Sequence, residues 1–172
     1  MSAYSNPARP AKAHGVIRTG LCIGLAGGLA EIVVVWLYSA LTGGDALTVA
    51  RHVASAIGLH GASATAGVVV HMGLAVALGI ALSAALRIAD WPVHDGAIFS
   101  FMVGSLAVVW VINYFLLLPA FSPSFVHLLP YTVTLASKLA FGLAAAATAR
   151  VLPAPLLVGQ IADYGDGSEA AV

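Results

Sequence analysis

The chain has 172 residues, of which 60% are hydrophobic and only 8% are charged, and its formal net charge at pH 7 is zero. Because a soluble domain usually carries about 25% charged residues, this composition excludes an ordinary soluble domain and indicates an integral membrane protein. The balanced charge also excludes the basic surface that nucleic-acid binding requires, and a single cysteine excludes an intrachain disulfide.

Four long apolar runs follow one another along the chain. Each is long enough to cross a bilayer as a helix, which takes about 20 residues, and none alternates as a barrel strand does. The first run is too long for the apolar part of a signal peptide and contains Glu31, so we expect it to be retained. We therefore predict an all-α membrane protein with four transmembrane helices, arranged as two helical hairpins, whose spans cover about 19–41, 62–86, 96–118 and 130–151.

The segment 45–60, DALTVARHVASAIGLH, connects the first two runs. Its apolar residues recur at helical spacing on one side and its polar residues lie on the other, with Asp45 placed to cap the start. This pattern predicts a short amphipathic helix at the membrane interface. The connection 119–130 between the third and fourth runs contains three prolines, which exclude continuous helix. It is apolar, so it is predicted either to dip into the membrane interface or to cover the outer mouth of the bundle.

The distribution of basic residues predicts the orientation. Five of the seven lie on one side of the predicted spans: Arg9, Lys12, Arg18, Arg87 and Arg150. Because cationic loops stay in the cytoplasm, we predict a multi-pass protein of the cell inner membrane with both termini cytoplasmic. Residues 1–17 then form a cytoplasmic segment, 18–152 the transmembrane domain and 153–172 a cytoplasmic tail.

Each predicted span contains one strongly polar side chain at a similar depth, in the middle or outer half. These residues are Glu31, His71, Asn113 and Lys138. A charge at the bilayer centre costs roughly 2.5–3.5 kcal/mol on insertion scales, so such residues face the bundle and find partners. We therefore predict a buried polar site in which Lys138 is held by Glu31.

Small residues share a helix face with three of these polar side chains. They are Gly24 and Gly27 beside Glu31, Gly67 beside His71, and Gly142 beside Lys138. Because small residues allow membrane helices to approach closely, these four glycines are predicted to form helix-packing contacts. The polar side chains should then point toward neighbouring helices and away from lipid.

The polar site leaves several functions open. Our leading hypothesis is a transporter-like protein that handles an ion, a proton or a small polar solute, as a homo-oligomer since one four-helix unit is small. The alternative is an accessory or assembly subunit of a larger membrane complex, for example a respiratory one, in which the Glu31–Lys138 pair only sets helix register. In a further alternative Lys138 reaches the interface or a partner subunit. No nucleophile or phosphate-loop motif is present, so no catalytic residue is predicted.

A haem or metal site at His71 is the third functional hypothesis. His52 and His60 share one face of the interfacial helix and His127 lies in the second outer connection, so all could reach the outer face. Neither HExxH nor CxxC occurs, and haem would need a second axial ligand at the depth of His71. We therefore predict no metal and no resident cofactor.

Three stretches carry a resemblance to a known group of proteins. RTGLCIGLAGGLAEI, VVHMGLAVALGIAL and the segment NYFLLLPAFSPSFVHLLPYTVTLASKLAFGLA, which begins at Asn113, resemble small uncharacterised bacterial four-helix membrane proteins, sometimes labelled sodium/proline-symporter-like. The likeness extends over nearly the whole chain after Val16. It implies four helices and, through the label, solute transport. The chain lacks the length and the broken-helix sodium site of true symporters, so neither sodium nor proline is implied.

Overall fold

The computed structural model describes residues 10–88 and 95–152, with side chains from residue 15 onward. The helices are α1 (Pro10–Thr42), α2 (Ala46–Ala56), α3 (Ala64–Ile88), α4 (Asp95–Ile112), α5 (Leu118–Phe121) and α6 (Tyr131–Val151), with a π-helical segment at Asn113–Leu117 and a 3-10 turn at Pro123–His127. Within these ranges four helical stretches are long and apolar enough to cross a membrane, which confirms the predicted all-α membrane fold. The side chains of Arg9 and Lys12 and the predicted tail 153–172 lie outside the described part.

The spans run antiparallel and form a row in the order α3, α1, α6, α4. The two ends of this bundle differ. The end at which α1 begins and α6 ends is called the terminal end, and the end that carries α2 and the 3-10 turn is called the α2 end. At the terminal end all four spans share one apolar core around Ile23, Leu82, Met102 and Phe141.

The α1–α3 interface is a crossing of small residues. A Cβ on Gly24 would lie 2.5 Å from the Cα of Val76, and a Cβ on Gly79 would lie 2.6 Å from the Cα of Gly24. Such close approach lets the two backbones pack without intervening side chains, which is the main source of helix association where lipid and protein are equally apolar. These glycines therefore set the distance and register between α1 and α3.

The second hairpin is tied at the terminal end. Arg150 at the end of α6 donates a hydrogen bond to the carbonyl oxygen of Asp95 at 3.1 Å, and its Nε lies 3.7 Å from the Asp95 carboxylate. Because Asp95 begins α4 and Arg150 ends α6, each charge also lies at the helix end whose dipole favours it.

The two hairpins, α1 with α3 and α4 with α6, are not related by a two-fold axis. Such an axis would make the α1–α6 and α3–α4 interfaces equivalent. In the described part, α1 packs along α6, whereas α3 and α4 do not pack along each other.

The third span is longer than its prediction. The helix continues to Phe121, through Pro119, where the sequence predicted the span to end near 118 and a loop to begin. A proline within a helix has no N–H and clashes with the carbonyl four residues earlier. The π-helical segment before it, in which the Leu118 N–H bonds to the Asn113 carbonyl oxygen, gives the wider turn that accommodates this proline.

The interfacial helix is shorter than the predicted 45–60. Helix α2 ends at Ala56, and Gly58 follows with a φ of +88°, a conformation that favours glycine and stops the helix. The apolar side of α2 packs against α3 as well as facing the membrane. Gly67 of α3 lies directly against the carbonyl of Ala50, where a Cβ would collide, so α2 is docked on α3.

The start of α2 gives a pH-dependent prediction. Asp45 accepts hydrogen bonds from the Leu47 N–H at 2.9 Å and the Thr48 hydroxyl at 2.5 Å, and Arg51 lies 3.2 Å away. The Thr48 hydroxyl, followed by backbone N–H groups and Arg51, lowers the pKa of Asp45 below its ordinary 3.8. A lowered carboxyl pKa stabilises the folded helix while the group is ionised, and this stabilisation is lost as the pH falls through the folded-state pKa.

We therefore expect amide hydrogen exchange in the first turn of α2 to accelerate, relative to α3, when the pH is lowered below about 4. The Asp45→Ala variant should show fast exchange already at neutral pH, because the N-cap is lost. The Asp45→Asn variant keeps a capping oxygen without a titrating group, so its exchange in this turn should lack the acid transition. An unchanged transition in Asp45→Asn would contradict this assignment.

Candidate functional site

A cavity of about 510 Å³ opens inside the bundle toward the α2 end. Its walls come from α1, α3, the junction of α4 with the π-helical segment, and α6, and it is covered by α2 and the 3-10 turn. It lies where α3 and α4 fail to pack along each other. All four predicted polar residues line it: Glu31, His71, Asn113 and Lys138.

Glu31 and Lys138 form an ion pair across the α1–α6 interface. The Lys138 Nζ lies 2.5 Å from the Glu31 Oε1, and the side chains are only 5% (Glu31) and 18% (Lys138) exposed. Phe141, one turn further along α6, lies with its ring centroid 5.9 Å from the same Nζ and fills the space against Gly27. The carboxylate is thus enclosed, whereas the ammonium retains one side toward the cavity.

His71 contacts the other carboxylate oxygen. Its Nε2 lies 3.5 Å from the Glu31 Oε2 and 3.4 Å from the carbonyl oxygen of Gly28. Both neighbours are hydrogen-bond acceptors, so either contact becomes a hydrogen bond when Nε2 carries the proton. Glu31 is therefore flanked by Lys138 from α6 and His71 from α3, and the three side chains join three spans at one level.

Asn113 also lines this cavity, as the first residue of the π-helical segment. Within the described ranges its amide makes no hydrogen bond to Glu31, His71 or Lys138. The polar site is therefore a three-residue cluster facing a fourth, separate amide. The wider π-helical turn starts at this residue, and such turns are frequent at functional sites.

Two aromatic residues, Trp110 of α4 and Tyr114 of the π-helical segment, form the wall beside Asn113, and neither was predicted as part of the site. Trp110 donates a hydrogen bond to the Thr134 hydroxyl at 3.0 Å, and its ring stacks on that of Tyr114 with centroids 5.6 Å apart. Tyr114 also donates to the Val126 carbonyl oxygen at 3.4 Å. The spacing of Trp110 and Tyr114, one helical turn, was the available signal, because such pairs share a helix face.

The four predicted packing glycines all lie at close contacts. Gly24 meets the backbone of α3, a Cβ on Gly27 would be 2.5 Å from the Phe141 ring, and a Cβ on Gly142 would be 3.0 Å from the Val103 Cα. Gly67 instead contacts α2, which the sequence had placed on the membrane surface. Gly20 and Gly79 complete the α1–α3 crossing and were not among the predicted packing residues.

The three other predicted histidines, His52, His60 and His127, lie away from the cavity. The His52 Nδ1 is 2.9 Å from the carbonyl oxygen of Thr48 on the same helix, while His60 and His127 are exposed in the connections. None of the three lines the cavity beside His71. In the described residues, no three His, Cys, Asp or Glu side chains are grouped so that they could hold a metal ion.

Comparison with protein-family models, curated proteins and solved structures found no match to this chain. The feature that bears on function is therefore the cavity itself. The chemistry it offers is an enclosed carboxylate, a partly accessible ammonium, an imidazole, an amide and aromatic walls. Such a combination can anchor the polar group of a small molecule in an otherwise apolar space.

Proposed function

We propose that this integral membrane protein handles a small solute in the manner of a transporter, with the cavity at the α2 end as the solute site and the Glu31–Lys138 pair as its polar anchor. One observation supports this most directly. An ion pair and a histidine from three different spans are gathered at the wall of a cavity of about 510 Å³, a size that small-molecule sites commonly have.

A purely structural pair is the competing explanation. A buried ion pair gains little stability over well-packed apolar residues, because desolvation offsets the attraction between the charges. It can still set helix register, but in that role close packing around both charges is expected. Here Lys138 instead borders empty space, and Gly24, Gly79 and Gly142 already set the helix register.

Among the solutes that the sequence left open, a small polar molecule fits this cavity better than a bare cation does. A cation would have to displace Lys138 from Oε1 and His71 from Oε2, the two carboxylate oxygens of Glu31. Hard cations such as Ca²⁺ prefer several oxygen ligands, and the cavity wall supplies few. Protons could still move through the Glu31–His71 contact as part of the handling cycle.

The double variant Glu31→Gln/Lys138→Met tests the proposal, because it removes both charges and leaves neither one unpaired. The wild type, purified in mild detergent, should carry a small molecule that organic extraction and mass spectrometry detect. The double variant should lose this molecule while retaining its circular dichroism spectrum and elution volume. An identical set of bound molecules in both proteins would make the pair structural.

A second candidate is a subunit of a larger membrane complex. The third span is the least enclosed of the four, with 11% of its most apolar 18-residue window buried, so much of its surface can meet lipid or another chain. The same mild-detergent preparation separates the two functions. Other proteins in stoichiometric amounts favour the subunit, whereas a homogeneous homo-oligomer favours the transporter.

We propose that the protein lies in the inner membrane with the terminal end cytoplasmic. Arg18, Arg87 and Arg150 lie at that end, whereas Arg51 lies at the α2 end, and cationic residues favour the cytoplasmic side. The solute cavity would then face the outer half of the bilayer. We expect activity from a C-terminal fusion to a reporter that is active only in the cytoplasm. An inactive fusion would indicate the opposite orientation.

A further inference from the structure

The rim of the cavity is apolar. The cavity-lining residues that are also exposed at the protein surface are Trp36, Leu47, Ile57, Val68, Leu74, Leu117 and Phe121. The two charged lining residues, Glu31 and Lys138, are deep in the wall instead. A path for a water-soluble solute would need polar groups at its mouth, so this rim indicates an opening toward acyl chains.

The opening lies between α3 and α4. In the row α3, α1, α6, α4, neighbouring spans pack against each other, and among the described residues the closing side between α3 and α4 lacks such an interface. Val68 and Leu74 of α3 and Leu117 of the π-helical segment are exposed lining residues from the two helices that border this gap. A molecule dissolved in the membrane can therefore approach the polar cluster sideways.

The charged group that remains available for hydrogen bonding at the cavity wall is a donor. The Lys138 ammonium has three N–H groups, and Glu31 is its only hydrogen-bonding or ionic partner in the part of the chain that the structure describes. The amide of Asn113 makes no bond to the polar cluster. The acceptor Glu31, in contrast, is engaged on both oxygens. A ligand matching this wall presents an acceptor oxygen.

The charge of the cluster limits the ligand further. Glu31 and Lys138 neutralise each other, so an added anion would bring an uncompensated charge into an apolar cavity, which is strongly unfavourable. A neutral carbonyl oxygen meets the ammonium and the amide without that penalty. The aromatic wall of Trp110 and Tyr114 suits a flat, apolar body beside such a carbonyl.

We propose that the cavity takes up a neutral, lipid-soluble carbonyl compound of the quinone type from the bilayer, through the gap between α3 and α4. The carbonyl oxygen accepts hydrogen bonds from Lys138 and Asn113, and the apolar tail extends through the gap into the membrane. This inference rests on the proposed function and names the chemical class of its solute.

Binding of decylubiquinone to the full chain in phosphatidylcholine nanodiscs tests the inference, with empty nanodiscs measuring simple partition. Wild type should show saturable binding beyond partition. Asn113→Leu keeps the ion pair and removes one donor, and it should weaken binding. Glu31→Gln/Lys138→Met removes the charged donor, and for this double variant we expect a loss of affinity of at least about tenfold.

A matched pair of variants tests the lateral path. Val68 lines the cavity, whereas its neighbour Val69 is exposed on the same helix without lining it. Val68→Phe should narrow the gap and lower the association rate of decylubiquinone. Val69→Phe adds the same bulk toward lipid and should leave that rate unchanged. Equal rates in the two variants would remove the gap as the path.

Two competitors decide the ligand chemistry. Decylbenzene, which lacks a carbonyl, should not displace decylubiquinone, and laurate, which carries a carboxylate, should displace it weakly; strong displacement by either overturns the inference. If decylubiquinone does not bind but another molecule co-purifies with wild type and is lost from Glu31→Gln/Lys138→Met, this inference fails and the proposed function stands. Retention of the co-purified molecule by that double variant instead removes the proposed function.

Discussion

Replacing Glu31 alone by glutamine is expected to destabilise the folded protein by about 3–5 kcal/mol, the usual effect of leaving one partner of a buried ion pair without the other. The variant keeps the size of the side chain but leaves the Lys138 ammonium beside the Phe141 ring without its carboxylate. Unfolding in a detergent titration, followed by circular dichroism, measures the change.

The double variant Glu31→Gln/Lys138→Met should recover most of this stability, because neither charge is then left alone. Glu31→Gln, Lys138→Met and the double variant form a cycle whose interaction term measures the pair directly. Arg51→Met is the matched control, since Arg51 belongs to an ion pair at the exposed start of α2 and should change stability little. A double variant as unstable as the sum of the single changes would show that the two charges do not depend on each other.

Replacing Gly79 by valine is expected to separate α1 from α3. An added Cβ would lie 2.6 Å from the Cα of Gly24 and would also meet the backbone oxygen of Gly20, so backbone atoms on the facing helix would have to move. Overpacking usually costs about 1–3 kcal/mol, and contact with backbone instead of a flexible side chain predicts the upper part of this range. Loss of folded yield and faster hydrogen exchange in α1 and α3 should follow.

Gly73→Val on the same helix is the control, because an added Cβ there meets no heavy atom within 4 Å. Both variants place the same β-branched side chain on α3, so a difference between them reports packing and not helix propensity. Gly79→Ala should show a smaller defect of the same kind. Equal stability of the two valine variants would mean that the α1–α3 crossing is not as close as the structure has it.

The Glu31–Lys138 pair could be predicted from the composition of the spans and the depth of the two residues alone. Each charge inside an apolar run must find a partner, and Glu31 and Lys138 are the oppositely charged residues of the central spans. His71 was expected nearby on the same grounds, and its position against the second carboxylate oxygen follows from α1 and α3 being adjacent. Asn113 could be placed at the right depth, but not at a particular wall of the cavity.

The order of the helices could not be predicted in this way. Lipid and protein are equally apolar, so the hydropathy of α3, α4 or α6 does not say which neighbour each face meets. That order depends on local shape, such as Gly79 against Gly24 and Phe141 against Gly27. The gap between α3 and α4, and the cavity that occupies it, result from these contacts.

The chain alone was enough to predict a membrane protein with four spans, a short connecting helix and two opposite charges that have to meet, because burial in lipid penalises every other placement of those residues. Folding decided what surrounds the charges. The close glycine contacts pull α1 against α3, the wide turn at Asn113 carries the third span past Pro119, and α2 docks through Gly67 over the space left between α3 and α4. An apolar cavity with donors at its wall arises from this packing, since shape complementarity among similar apolar surfaces acts only in three dimensions.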